Sequence, residues 1–423
     1  MSETIKQQPS CADDFEAEAL LFHEARQRIL DEVLPVSGEE KLAIRQSLGR
    51  VLAEDIISGI NVPGHTNSAM DGYALAGESL SGKSLETYEV IGTAYAGVAF
   101  KKSCGIGQCV RIMTGAPMPA GTDTVIMQEH VEKTDEQQIK IECTQHRPGQ
   151  NVRQAGEDIA KGDIVLKTGR VLVPADLGVL ASLGIGEVKV WRRPRVAFFS
   201  TGDELRALGE ELKDGDVYDS NRYSLYGMLS RLDVDIHDLG VIKDDPALMR
   251  DAFITAAEIA DVVITSGGVS VGEADYTKII LDEVGEVGFW KIAIKPGRPL
   301  AFGRINKTLF FGLPGNPVAV MVTFYQLVQP ALDYLSGKTD FEPFTVQAIT
   351  TEKIRKRPGR HEFQRGILSH DEQGQLTVQK AGMQGSGILT TMSRANCFIL
   401  LSEQQASIEV GEQVTVQPFN SLI

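Results

Sequence analysis

The residues best suited to chemistry lie between Asp261 and Lys278, in the segment DVVITSGGVSVGEADYTK. Val262, Val263 and Ile264 form an apolar run of the kind a buried parallel strand carries. Gly267 and Gly268 then allow a tight turn whose N–H groups can face a bound oxyanion. Open parallel sheets place ligands beyond the carboxyl ends of their strands, where this turn would sit. A single Gly-Gly pair is by itself an ordinary strand-to-helix turn, and three other segments add to its weight. FFGLPGNPVAV runs from a strand into Gly315, Asn316 and Pro317, with Asn316 placed as a helix N-cap and Pro317 at the first helical position. The N–H groups of such a helix start attract anions. FFSTGDEL ends a strand at Ser200 and turns through Thr201, Gly202, Asp203 and Glu204. WKIAIKPGRPLAFG supplies Lys291, Lys295 and Arg298, where lysine acts as a point charge for phosphate and arginine can chelate an oxyanion with two parallel donors. Strand alternation predicts that Lys291 and Lys295 share a side.

Carboxylates accompany these turns at Glu204, Asp244 and Asp275. Glycine turns, cations and carboxylates together are what Mg²⁺-assisted phosphoryl chemistry uses: carboxylates hold the metal, the metal bridges phosphate oxygens, and cations stabilise developing charge. Plain readings stand beside this one. Asp275 before Tyr276 and Asp245 before Pro246 also suit helix N-caps, and Lys278 suits a solvated face. Lys291 and Lys295 flank the apolar Ile292 and Ile294, so an ordinary strand remains open to them. His65 and His130 lack metal-ligand spacing, Met113 and Met118 suit packing, and no Ser-His-Asp set or reactive cysteine competes. The residues point to a site for a phosphorylated small molecule and leave the molecule and its reaction open.

Composition bounds what can position them. A chain of 423 residues exceeds one hydrophobic core and predicts about three domains. With 42% hydrophobic and 23% charged residues and no run long enough to span a bilayer, a soluble globular protein without a membrane partner is expected. MSETIKQQPSCADDFEAEAL lacks the pattern of a secretory signal, and five cysteines without a CxxC pair argue against a disulfide framework or a zinc site, so the cytoplasm is the expected compartment. A net charge of -15 argues against a nucleic-acid partner and requires a local basic cluster for any anionic substrate.

From Asp14 to Val33, apolar residues at Phe15, Ala19, Phe22, Ala25, Ile29 and Val33 predict an amphipathic helix in need of a partner. LAIRQSLGRVLAEDI predicts a helix passing into a strand, and NVPGHTNSAMDGYAL an irregular loop before a short strand. Short strands with glycine turns from Glu89 to Val173 predict a small all-β module, and the helical PADLGVLASLG returns the chain to the layer it left, which makes the module an insertion. RVAFFST, SNRYSLYGMLSRL, VDIHDLGVI, PALMRDAFITAAEIA, DVVIT and DYTKIILDEV alternate strand and helix as a doubly wound α/β sheet does. FWKIAI, PLAFGRI and TLFFGL continue it, and a helix from Pro317 to Leu335 closes it. After Asp340 the alternation in FTVQAITTEKI, HEFQRGIL, LTVQKAG, CFILLS and QVTVQPF predicts a β-barrel or sandwich with no helix.

NSAMDGYAL, RIMTGAPMPAGTDTVIMQE, AGEDI, FFSTGDEL, YDSNRYSL, TSGGVSVGEADYTK, IKPGRPLAFG and GLPGNPVAV follow one another in this order. Together they resemble the motifs of the MoeA family of molybdopterin molybdenumtransferases and of the corresponding domain of gephyrin, over nearly the whole chain after the first helix. The resemblance implies a multidomain α/β and β protein. Its parts would be an elongated N-terminal linker domain (1–60 plus 152–192), an inserted β-rich domain (61–151), a central doubly wound, MogA/MoaB-like molybdopterin-binding domain (193–338) and a C-terminal β-barrel (339–423). It also implies insertion of molybdenum, taken as molybdate, into adenylylated molybdopterin, with Mg²⁺-assisted release of AMP. A homodimer is implied, in which the insertion reaches toward the partner, as are protein partners in molybdopterin adenylylation and molybdoenzyme maturation.

Family roles transfer by motif. Asp71 in SAMDGYA and Thr114 in IMTGAP resemble residues brought to the cleft from the opposite subunit. Asp158 in GEDI resembles a residue needed by the family, with a structural role open to it. Glu204, Asp244 and Asp275 resemble the acidic set that handles Mg²⁺ and the adenylyl group, and Lys291 and Lys295 the cations that meet molybdate or phosphate. Gly267, Gly268, Ser270, Arg298, Gly315 and Asn316 are the implied binding residues around them. Arg365 in EFQRG and Ser386 in QGSG, in shorter motifs, resemble residues that close the molybdate side. The chain departs from the family at His65 and Thr66, where an aromatic and an acidic residue are common. A related family adenylylates molybdopterin on the same α/β domain, but with a TGGTG-type turn and without the two extra β modules. A gephyrin-like peptide-binding scaffold is the non-enzymatic alternative.

Overall fold

The computed structural model describes residues 19–80, 84–268, 274–339 and 343–419. In the N-terminal part, α1 (Phe22–Asp31) buries Ala25 and Ile29 against the central domain's core, so the helix finds its partner there. It starts later than its apolar spacing predicts: Asp14 and Phe15 lie outside the described residues, and Leu20 is extended, its N–H bonded to Lys291 O at 2.9 Å. LAIRQ is not helical. β1 (Glu39–Ala43) pairs antiparallel with β12 (Glu187–Trp191), and only Ile44–Gln46 forms a 3₁₀ turn. Cross-strand pairing has overridden a local helical pattern there. β2 (Ile56–Ile57) pairs with β11 (Ile164–Leu166), and β3 (Asn67–Ser68) with β10 (Val152–Arg153).

Between these ladders lies a six-stranded sheet. It contains β4 (Gly72–Leu75), β5 (Glu86–Ala94), β6 (Gln108–Ile112), β7 (Thr124–Met127), β8 (Val131–Lys133) and β9 (Gln138–Ile141), in the order β7-β4-β6-β5-β9-β8. Gly72 is required where β4 meets β7, because a Cβ there would lie 2.0 Å from Ile126 O. α2 (Pro174–Ser182) follows, with Asp176 accepting from the Val173 N–H and from Arg170.

In the central sheet β13 (Arg195–Thr201), β16 (Asp235–Ile242), β17 (Val262–Ser266) and β21 (Thr308–Leu313) are parallel, while β20 (Pro299–Ile305) and β18 (Gly285–Lys291) extend it antiparallel, in the order β16-β13-β17-β21-β20-β18. Two short strands that follow β13 in the chain, β14 (Leu205–Arg206) and β15 (Val217–Tyr218), pair parallel with each other. Alternation sorts the apolar residues onto two cores. Val196, Phe198, Ile264 and Phe311 join α1, α3 (Ser220–Leu229) and the closing helix, whereas Ala197, Phe199, Val263 and Phe310 meet α4 (Pro246–Ile259) and α5 (Ala274–Val284). The closing helix is α6 (Pro317–Thr323), a π-helical stretch over Phe324–Val328, and α7 (Gln329–Leu335). Pro330 has no N–H to give Gln326 O, and a widened turn just ahead of a proline is a common accommodation.

In the C-terminal part, β22 (Val346–Thr350), β23 (His361–His370), β24 (Leu376–Lys380), β25 (Cys397–Leu401) and β26 (Gln413–Pro418) close into a five-stranded barrel through the β23–β25 pairing. A helix that the alternation did not predict, α8 (Leu389–Arg394), buries Thr391 and Met392. The barrel is joined to the central domain by β19 (Ile294–Lys295), which runs parallel to β23 with Lys295 opposite Glu362. The expected alternation from Lys291 to Lys295 therefore fails. β18 ends at Lys291, Leu20 and His361 pair with the backbone at Ala293, and Lys295 belongs to a different sheet. Among the described residues no helix is long and apolar enough to cross a membrane.

Candidate functional site

A cavity of about 460 Å³ opens where the carboxyl ends of β13, β17 and β21 meet the barrel. It is lined by Thr201, Glu204, Gly267, Gly268, Lys295, Arg298, Gly315, Asn316, Arg360, Gln384 and Ser386, with Gly297 and Ala319 among their neighbours. Glycine is needed at both turn positions. At Gly267 (φ +97) a Cβ would lie 2.6 Å from Thr201 O, and at Gly268 (φ +69) it would lie 2.8 Å from Thr277 Oγ1. The expected role of Gly267 changes in one respect: its N–H donates to Leu313 O at 3.1 Å, so it shapes the wall and ties β17 to β21. Asn221, at the start of α3, fastens the same corner by donating to Ser266 Oγ at 2.8 Å and Gly315 O at 2.7 Å.

Asn316 holds the N-cap position of α6 with an extended backbone, but its side chain makes no capping bond. The Val318 N–H instead donates to Ser386 O at 3.0 Å. A loop of the barrel thus caps a helix of the central domain, which brings Ser386 to the cavity. Arg365 lies behind that loop rather than in the cavity lining, and only 1% of it is exposed. It donates to the carbonyls of Met383, Gln384 and Gly385 and to Thr391 Oγ1, and burial lowers its pKa to about 10. Its geometry is that of a support for the residues that do line the site.

Lys295 points its ammonium toward the cavity's barrel side, 3.5 Å from Oε1 of the buried Glu362. Glu362 Oε2 accepts from Gln364 Nε2 at 2.9 Å. The Glu204 carboxylate lies over Gly202, where a Cβ would come within 2.6 Å of it. The Thr201 hydroxyl is buried without a hydrogen-bond partner among the described residues.

Lys291, Asp244, Asp71, Thr114 and Asp158, also singled out from the sequence, are not among the lining. Lys291 ends β18, and Asp244 donates its N–H to Asp203 Oδ1 at 3.3 Å beside the Glu204 turn. Asp71 and Thr114 lie at the ends of the neighbouring inner strands β4 and β6 of the inserted sheet and bond to each other: the Thr114 N–H and hydroxyl both donate to Asp71 Oδ1 at 2.7 Å. Those two bonds, the backbone one first, hold the Asp71 carboxyl below its ordinary pKa. Asp158 lines a separate cavity with Pro63, Arg153 and Glu157. Ser270 lies outside the described residues, as does the side chain of Asp275 in the first turn of α5. The expected cap at Asp245 is present, with its carboxylate accepting from the N–H groups of Ala247 and Leu248. Thr201 was read only as a turn residue at the end of its strand, and Arg360, Gln384 and Asn221 were not picked out from the sequence. Each is brought in by long-range packing, and only the glycine and proline of RPGR ahead of the barrel strand hinted at a shaped loop.

Comparison with known proteins agrees with this architecture. Family models described as "MoeA N-terminal region (domain I and II)", "Probable molybdopterin binding domain" and "MoeA C-terminal region (domain IV)" match residues 20–184, 197–334 and 347–419. A protein of Haemophilus influenzae named molybdopterin molybdenumtransferase is 47% identical over 405 residues, covering 96% of this chain and 100% of its own length. A Dictyostelium discoideum protein named gephyrin is 33% identical, with 92% of this chain matching 61% of it. The crystal structure of the molybdopterin biosynthesis moeA protein from Pyrococcus horikoshii OT3 superposes with a TM-score of 0.83 at 30% identity, over 95% of this chain and 100% of that one. With the three regions matched in order and the cleft between the second and third intact, the chain belongs to the MoeA family.

Proposed function

We propose that this chain is a molybdopterin molybdenumtransferase, which takes molybdenum from molybdate into adenylylated molybdopterin and releases AMP with the help of Mg²⁺. The observation that carries the reading is the composite cavity, in which a glycine turn, a helix start, Lys295, Arg298 and one carboxylate meet at the carboxyl end of a parallel sheet. Lys295 and Arg298 are suited to hold an oxyanion, and Ser386 closes the side nearest the barrel. Gly267 and Gly268 let the turn close tightly against Thr201 and Thr277, which shapes the wall of the cavity, and the Asn221 bonds keep the two turns at a fixed separation.

Among the described residues no three His, Cys, Asp or Glu side chains cluster as a metal cage. The sparse oxygen donors that line the cavity, the Glu204 carboxylate and the partnerless Thr201 hydroxyl, nevertheless fit Mg²⁺, which typically binds through one or two carboxylates plus water and substrate phosphates. Glu204 would hold it, with Asp275 and Asp244 as the further carboxylates of the acidic set. Bound there, the ion supplies Lewis-acid polarisation of the phosphoanhydride. The protein's own part would be to align that anhydride with its attacking oxygen, from water or molybdate, and to neutralise charge as the P–O bond breaks and AMP departs, while the two dithiolene sulfurs take the place of molybdate oxygens, which leave as water with the thiol protons.

The same reading includes a cytoplasmic homodimer in which the Asp71–Thr114 pair of one subunit completes the partner's cleft, with Asp158 supporting the loop that carries it. It also adopts the domain boundaries 1–60 plus 152–192, 61–151, 193–338 and 339–423. An adenylyltransferase would supply the substrate, and molybdoenzyme maturation proteins would receive the product. The TSGGVSVG turn and the two β modules weigh against adenylylation as this chain's own reaction, and nothing on the barrel names a receptor peptide.

The test is AMP release from adenylylated molybdopterin. Release should require both molybdate and Mg²⁺, and Glu204→Gln or Asp275→Asn should slow it by about 10²-fold or more. Release at the normal rate without molybdate would overturn the function, and an unimpaired Asp275→Asn enzyme would overturn the role of Asp275.

A further inference from the structure

A second cavity, of about 490 Å³, adjoins the first. Its walls are the extended Leu21 segment, Ile292 and Ala293 at the end of β18, and the 357–360 loop that precedes β23. Among the described residues, Arg298, Arg357 and Arg360 line it and no carboxylate does, although the chain as a whole carries a net charge of -15. Arg298 and Arg360 line both cavities, so the two are contiguous through a pair of guanidinium groups.

The backbone that presents these arginines is fastened on every side. Ile292 N–H donates to Arg298 O at 2.8 Å, and Ala293 N–H donates to Leu20 O at 2.7 Å. Across the cavity, Gly359 N–H donates to Glu403 O at 2.8 Å, and the Lys356 ammonium, only 6% of whose residue is exposed, donates to the carbonyls of Arg357 at 3.2 Å and Gln405 at 3.1 Å. Gly359, at φ +109, adopts a conformation that side chains rarely take, and it sets the turn between Arg357 and Arg360. A buried lysine spent on holding a loop carbonyl, and a glycine-dependent turn beneath two exposed arginines, are more structure than a solvated basic surface needs. Arginine's planar fork suits tetrahedral oxyanions, and convergence of several forks selects for a group of more than one negative charge.

We infer that this cavity is a second oxyanion subsite, built for a phosphate group and sharing Arg298 and Arg360 with the first. The phosphate comes either as a free ion or as one end of a ligand whose other anionic group occupies the first cavity. The inference goes beyond the transferase reading and does not depend on it, because it needs only the arginines and their fixed backbone.

Calorimetric titration of the full chain with inorganic phosphate tests it. Two binding events are expected, and Arg357→Gln should weaken one by about tenfold or more while leaving the other, because Arg357 lines only the second cavity. Arg355→Gln removes a charge two residues away without touching either cavity and should change neither event. A single event indifferent to Arg357→Gln would overturn the inference. So would equal weakening by Arg355→Gln, which would reduce the effect to general electrostatics. Inorganic pyrophosphate then separates the two sources. One event sensitive to both Arg357→Gln and Lys295→Gln supports a ligand spanning the cavities, and two separately sensitive events support free ions. An unchanged thermal midpoint for Arg357→Gln shows that the fold is retained.

Discussion

The pairing of Lys295 with Glu362 carries a consequence for stability that can be worked from the geometry. Glu362 is 3% exposed, and its carboxylate has two partners, the Lys295 ammonium at 3.5 Å and the Gln364 amide at 2.9 Å. Removing one member of a fully buried pair costs about 3–5 kcal/mol, whereas exposed pairs contribute about 0–1 kcal/mol. The Lys295 side chain is 47% exposed, so water screens one side of the interaction and the coupling should fall between these classes, at about 1–2 kcal/mol. Lys295→Met leaves the buried carboxylate with the amide alone and should lower stability by roughly that amount. Adding Glu362→Gln removes the stranded charge while keeping an acceptor for Gln364, so the double variant should be more stable than Lys295→Met by about 1 kcal/mol. Urea unfolding of the four proteins at neutral pH, followed by tryptophan fluorescence, measures this directly. Additive effects would show that the 3.5 Å approach carries no energy and that Lys295 is not positioned by the barrel.

Gly267→Ala should be among the most damaging substitutions in the cavity. Backbone strain at φ +97 costs about 1–3 kcal/mol before the 2.6 Å approach to Thr201 O is counted, so both the thermal midpoint and AMP release should fall. In mixed dimers, Asp71→Asn and Glu204→Gln subunits should together recover part of the AMP release that each variant lacks alone; no recovery would refute a cleft shared between subunits. Stability should also decline as pH falls below about 6.5, the ordinary histidine value. Burial holds the His361 pKa below that value despite the nearby Glu403, with Lys356 and His23 also facing it. The unfolded chain therefore binds the proton first, and stability drops until the folded pKa is reached. His361→Gln should flatten that decline in urea midpoints measured between pH 7.5 and 5.5.

The parallel core was legible because its strands are apolar on both faces. RVAFFST and DVVIT read as strands on this ground, and the structure places Val196 and Ala197 in different cores as alternation requires. Glycine turns were legible for a similar reason, since positions that demand a positive φ are marked by the one residue that tolerates it. What failed was whatever depended on distant partners. The lysine alternation broke because Leu20 and His361 pair with the backbone at Ala293, and no local pattern encodes that meeting. The capping of Val318 by Ser386 O replaced a local Asn316 cap with a contact from the barrel. Arg365 sat in a recognisable motif, but only its buried bonds to the 383–385 carbonyls reveal that it supports the loop.

The most direct test of the central claim is a single-turnover experiment with adenylylated molybdopterin, molybdate and Mg²⁺ in which AMP released and molybdenum bound at the dithiolene are counted together. The account predicts equal amounts rising at the same rate, with both lost in Lys295→Ala. AMP appearing without bound molybdenum, or molybdenum bound with the adenylyl group still attached, would contradict it.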